Sequence, residues 1–357
     1  NIAWFASGKL YSYREGINTK TVLDGASGKD EILEYFDFEE NPQAINPSIN
    51  YVYSANNQPD SIKGGLYPGY YLPEDRAKRI VSLLKDKNDF TKEDVAKMLY
   101  DVTSATVALN ITTLATGIDK SSLTPSEKLS LEYLKKWNGF YGKKEIAPTI
   151  YNRFIYEVLV ATYQDEMGKS FNQFINTPYQ DKAFVEQIVR EESVWWDNIK
   201  TENKKETRTD IITSSYKKAI AFLGNQLGEN VQDWTWDRVI SVEYPHALGK
   251  VAALRKYFNV GPFKTRGGNE VINNQIYNLD STGIYKITAG PSTRRIVDFS
   301  DVENGLGILP TGQSGNVFSN HYKDQAQKYV DGEFVKMKLN QKEIEASENV
   351  LIFKVKK

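Results

Sequence analysis

Only two histidines, His246 and His321, and no cysteine occur in this sequence of 357 residues, which leaves few ways to build a nucleophile. Ser314 and His321 come nearest to a catalytic pair. Yet Gly312-Gln313-Ser314-Gly315 lacks the residue that separates serine from the second glycine in a nucleophile elbow. Glu191 and Glu192 stand beside Trp195 and Trp196, which suggests paired carboxylates near sugar-stacking rings. Glycosidase carboxyls need a separation of roughly 5–10 Å across a cleft, and adjacent helical residues point about 100° apart. This aromatic cluster is therefore expected to pack a helical lobe. Gly267-Gly268 has neither the lysine nor the helix start of a phosphate loop. Asn56-Asn57, after a β-prone run, reads by itself as a turn that ends a strand. Arg76, by itself, reads as an arginine on a helix surface.

These residues must be carried by a sizeable body. With 40% apolar and 25% charged residues, the composition is that of an ordinary globular protein. The 45 basic residues nearly cancel the 46 acidic ones, so no net field favours nucleic acid or an anionic membrane. No stretch reaches the ~18 apolar residues of a membrane span. The absence of cysteine removes disulfides and thiolate metal sites together. The chain opens with Asn1 and runs directly into Ile2-Ala3-Trp4-Phe5-Ala6. That start is expected of a cut or processed chain.

Hydrophobic periodicity predicts sheet, then helices, then sheet. Residues 2–10 read as a buried strand, 14–31 as a loop and 51–55 as a second strand ending at Asn56. Residues 74–87 repeat apolar positions at helical spacing. Thr91 to Asp94 and Thr124 to Glu127 are capping boxes, the second with Pro125 at the first helical position. Helical patterns run on to about 227. Strands are expected near 284–287, 295–298 and 350–355, and a helical turn at 341–347. The layout predicts an α+β chain with segments 1–90, 91–238 and 239–357.

Several stretches, in order, resemble the penicillin acylase family. They are Asn46-Pro47 followed by Tyr51 to Pro59, then Asp75-Arg76 at a helix start, then Arg294-Arg295-Ile296-Val297-Asp298. Leu309-Pro310-Thr311-Gly312-Gln313-Ser314-Gly315 and His321-Tyr322-Lys323-Asp324-Gln325 complete the pattern. Each motif alone is weak; their joint order and spacing carry the likeness.

The resemblance implies part of an αββα N-terminal-nucleophile hydrolase sandwich with an inserted helical lobe. It implies an amidohydrolase that removes an acyl side chain from a β-lactam, an acyl-homoserine lactone or a lipopeptide through an acyl-serine intermediate. The serine is the first residue of the family's β-chain, and its own α-amine serves as base. That residue is absent here, so the α-chain and the early β-chain are the implied partners, and this fragment alone is expected to be inactive. By carry-over, Asn56 donates its side-chain N–H to the oxyanion and Arg76 shapes the cleft. Tyr70 and Tyr71 fall where the family lines its acyl pocket. The resemblance further implies a periplasmic or secreted location and allows a structural calcium in the full protein; no cofactor is expected from this chain. The alternative is a non-catalytic module that binds carbohydrate or another ligand. It would require Trp195, Trp196, Trp234 and Trp236 on one open face.

Overall fold

The computed structural model describes residues 1–14, 16–18, 21–59 and 71–355. Two compact units result, Asn1–Asn88 and Asp89–Lys357.

The first unit is built from two short ribbons and one helix. β1 (Ala3–Phe5) pairs antiparallel with β4 (Gln43–Ile45), and β2 (Tyr11–Tyr13) pairs with β3 (Ile32–Tyr35). Of the buried strand expected over 2–10 only Ala3–Phe5 forms, and Ile2 and Phe5 stand exposed; the next strand starts at Tyr11, beyond Gly8, whose φ of 120° is open to glycine and costly to other residues. Buried Asn41 bridges the break, its amide donating to the carbonyls of Ala6 (2.9 Å) and Gly8 (3.0 Å). Asn46 closes the other ribbon: its N–H donates to Ile2 O, and its side-chain oxygen accepts from Ile2 N. Helix α1 spans Asp75–Leu84, within the range that periodicity predicts. Residues 51–55 correct the reading made from the sequence, because they form no strand. Their β-prone side chains favour an extended backbone, but strand formation depends on a neighbouring edge that composition does not supply.

The second unit opens with α2 (Lys92–Leu99), α3 (Val107–Thr116), α4 (Pro125–Lys136) and the long α5 (Ala147–Met167). After them come α6 (Phe171–Phe174), α7 (Tyr179–Ile188) and α8 (Arg208–Leu227). Both expected capping boxes are present: Thr91 accepts from Asp94 N, and Thr124 accepts from Glu127 N at 3.3 Å. Glu127 reaches back to Thr124 N at 2.7 Å. A third box, Thr207 with Asp210, starts α8. Helix α5 packs against α8, with the rings of Phe154 and Tyr216 edge-on at 5.2 Å.

Sheet structure then returns. β5 (Ile240–Tyr244) is followed by α9 (Ala252–Phe258), β6 (Val260–Lys264) and β7 (Tyr285–Ile287). β5 is central, antiparallel to β6 and parallel to β7. β8 (Arg294–Ile296), β9 (Asn304–Ile308), α10 (Ala326–Asp331), β10 (Val335–Lys338) and α11 (Gln341–Glu345) complete the unit. β9 lies between β8 and β10 in a second antiparallel sheet. One apolar core runs from Val107 through Trp236 to Val330, so segments 91–238 and 239–357 are joined into one body. Residues 350–355 form no strand; Leu351 and Phe353 stand 79% and 87% exposed.

Candidate functional site

The first unit brings Asn56 and Arg76 together. Asn56 has a φ of 62°, the left-handed region that asparagine enters more readily than most residues. Buried Ala55 anchors the turn from within. The side-chain oxygen of Asn57 accepts from Ala55 N (3.2 Å), and Asn56 O accepts from Leu72 N (3.0 Å). The turn that the residues suggest by themselves is therefore real, and it has a consequence. It turns the Asn56 carboxamide out of the extended run and leaves it exposed.

Arg76 lies in the first turn of α1. Its Nη2 donates to Asn56 Oδ1 at 2.8 Å. A guanidinium has no acceptor, so the atom facing it must be the amide oxygen. That fixes the flip of the carboxamide and turns Nδ2, the donor end, away from Arg76. No described residue accepts from this Nδ2.

Asp75, immediately before Arg76, is buried, and its Oδ1 accepts from Arg76 N at 2.6 Å. Burial pushes its carboxyl up to about 6, against the opposing pull of the Arg76 N–H, the Arg76 guanidinium and Lys78. Tyr71 is half-buried; burial pushes its phenol up, and a hydrogen bond with Gln58 offsets part of that. Tyr70 lies outside the described residues.

A cavity of about 470 Å³ opens beside Asn56. Trp4, Leu10, Ala44, Tyr51 and Tyr71 are among the residues around it, so of the weaker candidates Tyr71 is brought to the site. The sequence gives no signal for Trp4 and Ala44. They meet only because β1 pairs with β4, which places them directly opposite one another.

The competing arrangements are not assembled in the structure: Ser314 and His321 meet through the backbone, Ser314 N donating to His321 O at 3.1 Å, and not through hydroxyl and imidazole. Ser314 Oγ accepts from Asn316 N, and the His321 imidazole faces Asp324 at 2.9 Å. Instead, the 309–315 stretch is held as a loop. A Cβ at Gly312 would come within 2.0 Å of His321 O, and Gln325 Oε1 accepts from Leu309 N. Trp196, Trp234 and Trp236 are buried, and Trp195 packs on Tyr163 at 5.2 Å, so these four rings form no open platform. Among the described residues, no three His, Asp or Glu gather as metal ligands would. None of the described helices is long and apolar enough to cross a membrane.

Comparison with known proteins bears on the family and the fold. The family model described as penicillin amidase matches residues 1–346. An acyl-homoserine lactone acylase QuiP of Pseudomonas aeruginosa is 24% identical over 369 residues, covering 94% of this chain and 43% of the relative. The acylase of the same name from Pseudomonas fluorescens is 27% identical, over 94% of this chain and 42% of its own. This chain thus spans less than half the length of these relatives. A thermostable penicillin G acylase from Alcaligenes faecalis superposes with a TM-score of 0.60 at 16% identity, over 99% of this chain and 66% of that one. The likeness shows the fold, that of an N-terminal-nucleophile hydrolase. With a family match that runs from the first residue almost to the last, this chain belongs to the penicillin amidase family.

Proposed function

We propose that this chain supplies the oxyanion-stabilising part of an acylase whose nucleophilic serine lies on another segment of the same precursor. The observation that carries this reading is the 2.8 Å contact from Arg76 Nη2 to Asn56 Oδ1. When a serine oxygen adds to the amide carbonyl, the carbonyl oxygen gains negative charge, and Asn56 Nδ2–H donates to it. A neutral amide held in place needs no proton transfer and no reorientation at that moment. Arg76 is a positioning residue that keeps the donor aimed, and its positive charge raises the potential around the site. Collapse of the intermediate expels the amine, and water then releases the acyl group from the serine.

The substrate is a small acyl amide. The names of the relatives favour an acyl-homoserine lactone over a β-lactam or a lipopeptide. The partners are the α-chain and the early β-chain of the same precursor, and we take the enzyme to work in the periplasm or outside the cell. Alone, this chain is expected to be inactive, since the nucleophilic serine of this reading lies on another segment. A structural calcium, if the full enzyme holds one, would draw its ligands mainly from those partner segments.

The test is Asn56→Ala in the complete precursor. It should mature normally and lose roughly 100- to 1000-fold in kcat, the range for removal of one oxyanion donor. Wild-type kcat in a correctly processed Asn56→Ala enzyme would remove this residue from the mechanism.

A further inference from the structure

Another cavity, of about 320 Å³, lies in the helical lobe between α3 and the end of α4. That volume is at the small end of the range for small-molecule sites. Ala108, Thr112 and Ala115 face it from α3, at a spacing that sets them on one side of the helix. Buried Ile111, Leu134 and Trp137 form its floor. Thr112 and Thr116, on the wall, spend their hydroxyl protons on their own helix, donating to Ala108 O (2.9 Å) and Thr113 O (2.7 Å). The groove therefore offers a ligand apolar contact and, among the described residues that line it, two charges of one sign, Lys120 and Lys135.

One carboxylate stands against them. Lys135 Nζ donates to Glu132 at 3.0 Å, and that hydrogen bond, with Lys136 and Lys120 behind it, holds the Glu132 carboxyl below its ordinary range. Asp119, next to Lys120 in the chain, accepts instead from Ser121 N (3.0 Å) and Ser121 Oγ (2.6 Å). Three ammonium groups around one carboxylate leave net positive charge beside the groove. The last turn of α4 accounts for Lys135 and Lys136, since cations are favoured at a helix C-terminus. It does not account for Lys120, which is exposed in the short turn Lys120–Ser122.

We infer that this groove is a binding site for a free medium-chain fatty acid, its alkyl chain on the apolar floor and its carboxylate taken by Lys120 and Lys135. Charge decides the headgroup. A carboxylate is attracted by both ammonium groups, whereas a cationic headgroup is repelled and a neutral one gains nothing from them. Length follows from α3, because Ala108 to Thr116 rise about 12 Å along the helix axis, close to an extended decanoyl chain. The site lies in the second unit and stands independently of the role proposed for Asn56.

Calorimetry on the intact mature protein with sodium hexanoate, octanoate and decanoate tests this. Affinity should rise roughly 4-fold for each added methylene until the chain outgrows the groove. Decyltrimethylammonium, equal in chain length, should bind at least about 10-fold more weakly than decanoate. Thr112→Phe, at an exposed position of α3, fills the groove and should remove one saturable decanoate site. Thr112→Leu, a residue that helices favour over threonine, serves if the ring disturbs folding. Lys120→Gln combined with Lys135→Gln should weaken the same site about 5-fold or more. Decanoate that does not bind, or a site that survives both substitutions at Thr112, overturns the inference. So does a site indifferent to the lysine substitutions or to the sign of the headgroup; the groove would then be a plain apolar surface, of the kind a partner polypeptide covers.

Discussion

In the proposed mechanism Asn56 and Arg76 divide one task between two side chains. The left-handed backbone of Asn56 presents the amide, and the arginine decides which end of that amide points outward. Lysine at position 76 would keep the charge but lose the planar fork that clamps one oxygen in a fixed direction. Arg76→Lys is therefore expected to lower kcat about 10-fold or more while changing KM little, a split that steady-state kinetics resolves. Asp75 adds a pH-dependent term to stability. Its carboxyl titrates near 6 in the folded chain, above its ordinary 3.8, so the folded form keeps the proton longer than the unfolded one. The stability linked to that proton is fully present below about pH 4. It is lost as the pH rises through 6, by at most roughly 2–3 kcal/mol. Asp75→Asn should gain on the wild type across this window in urea unfolding; a constant difference between pH 4 and 7 would contradict it. Each of these residues was legible singly in the sequence. Their contact was not, because it joins a turn to a helix start 20 residues further on, and only the family resemblance set them side by side.

Helix starts were the most legible elements, since capping chemistry is complete within a few neighbouring residues. Thr124, Pro125 and Glu127 specify the beginning of α4 without help from the rest of the fold. Thr124→Ala should accordingly cost about 1 kcal/mol, read as a lower urea midpoint with an unchanged slope. Strands were harder. Residues 51–55 and 350–355 have β-prone composition, yet whether either becomes a strand rests on an edge supplied by some other segment. The same logic hid β4, which is too short for alternation to reveal, whereas its partner β1 falls within the strand expected over 2–10.

The two units are supported in different ways. In the second, four buried tryptophans and the packed pair α5 and α8 contribute to a continuous core. The first relies on two-stranded ribbons, which are marginal structures in water. Hydrogen exchange on this chain should show the slowest amides in α5 and α8 and far faster exchange in β1 and β4. Equal protection in both units would contradict that expectation. The burial of Trp196, Trp234 and Trp236 also explains why a tryptophan-rich sequence carries no stacking platform at these positions: the rings are spent on the interior.

The bare Val350–Val355 segment has a practical side. Five of its six residues are strongly β-prone or apolar, and Lys354 is its one charge. Such a hexapeptide, with its side chains in water, can zip against copies of itself in neighbouring molecules. Concentrated solutions of this polypeptide should cloud or seed fibres from that stretch first. A second lysine, at Ile352, is the change that would keep them clear.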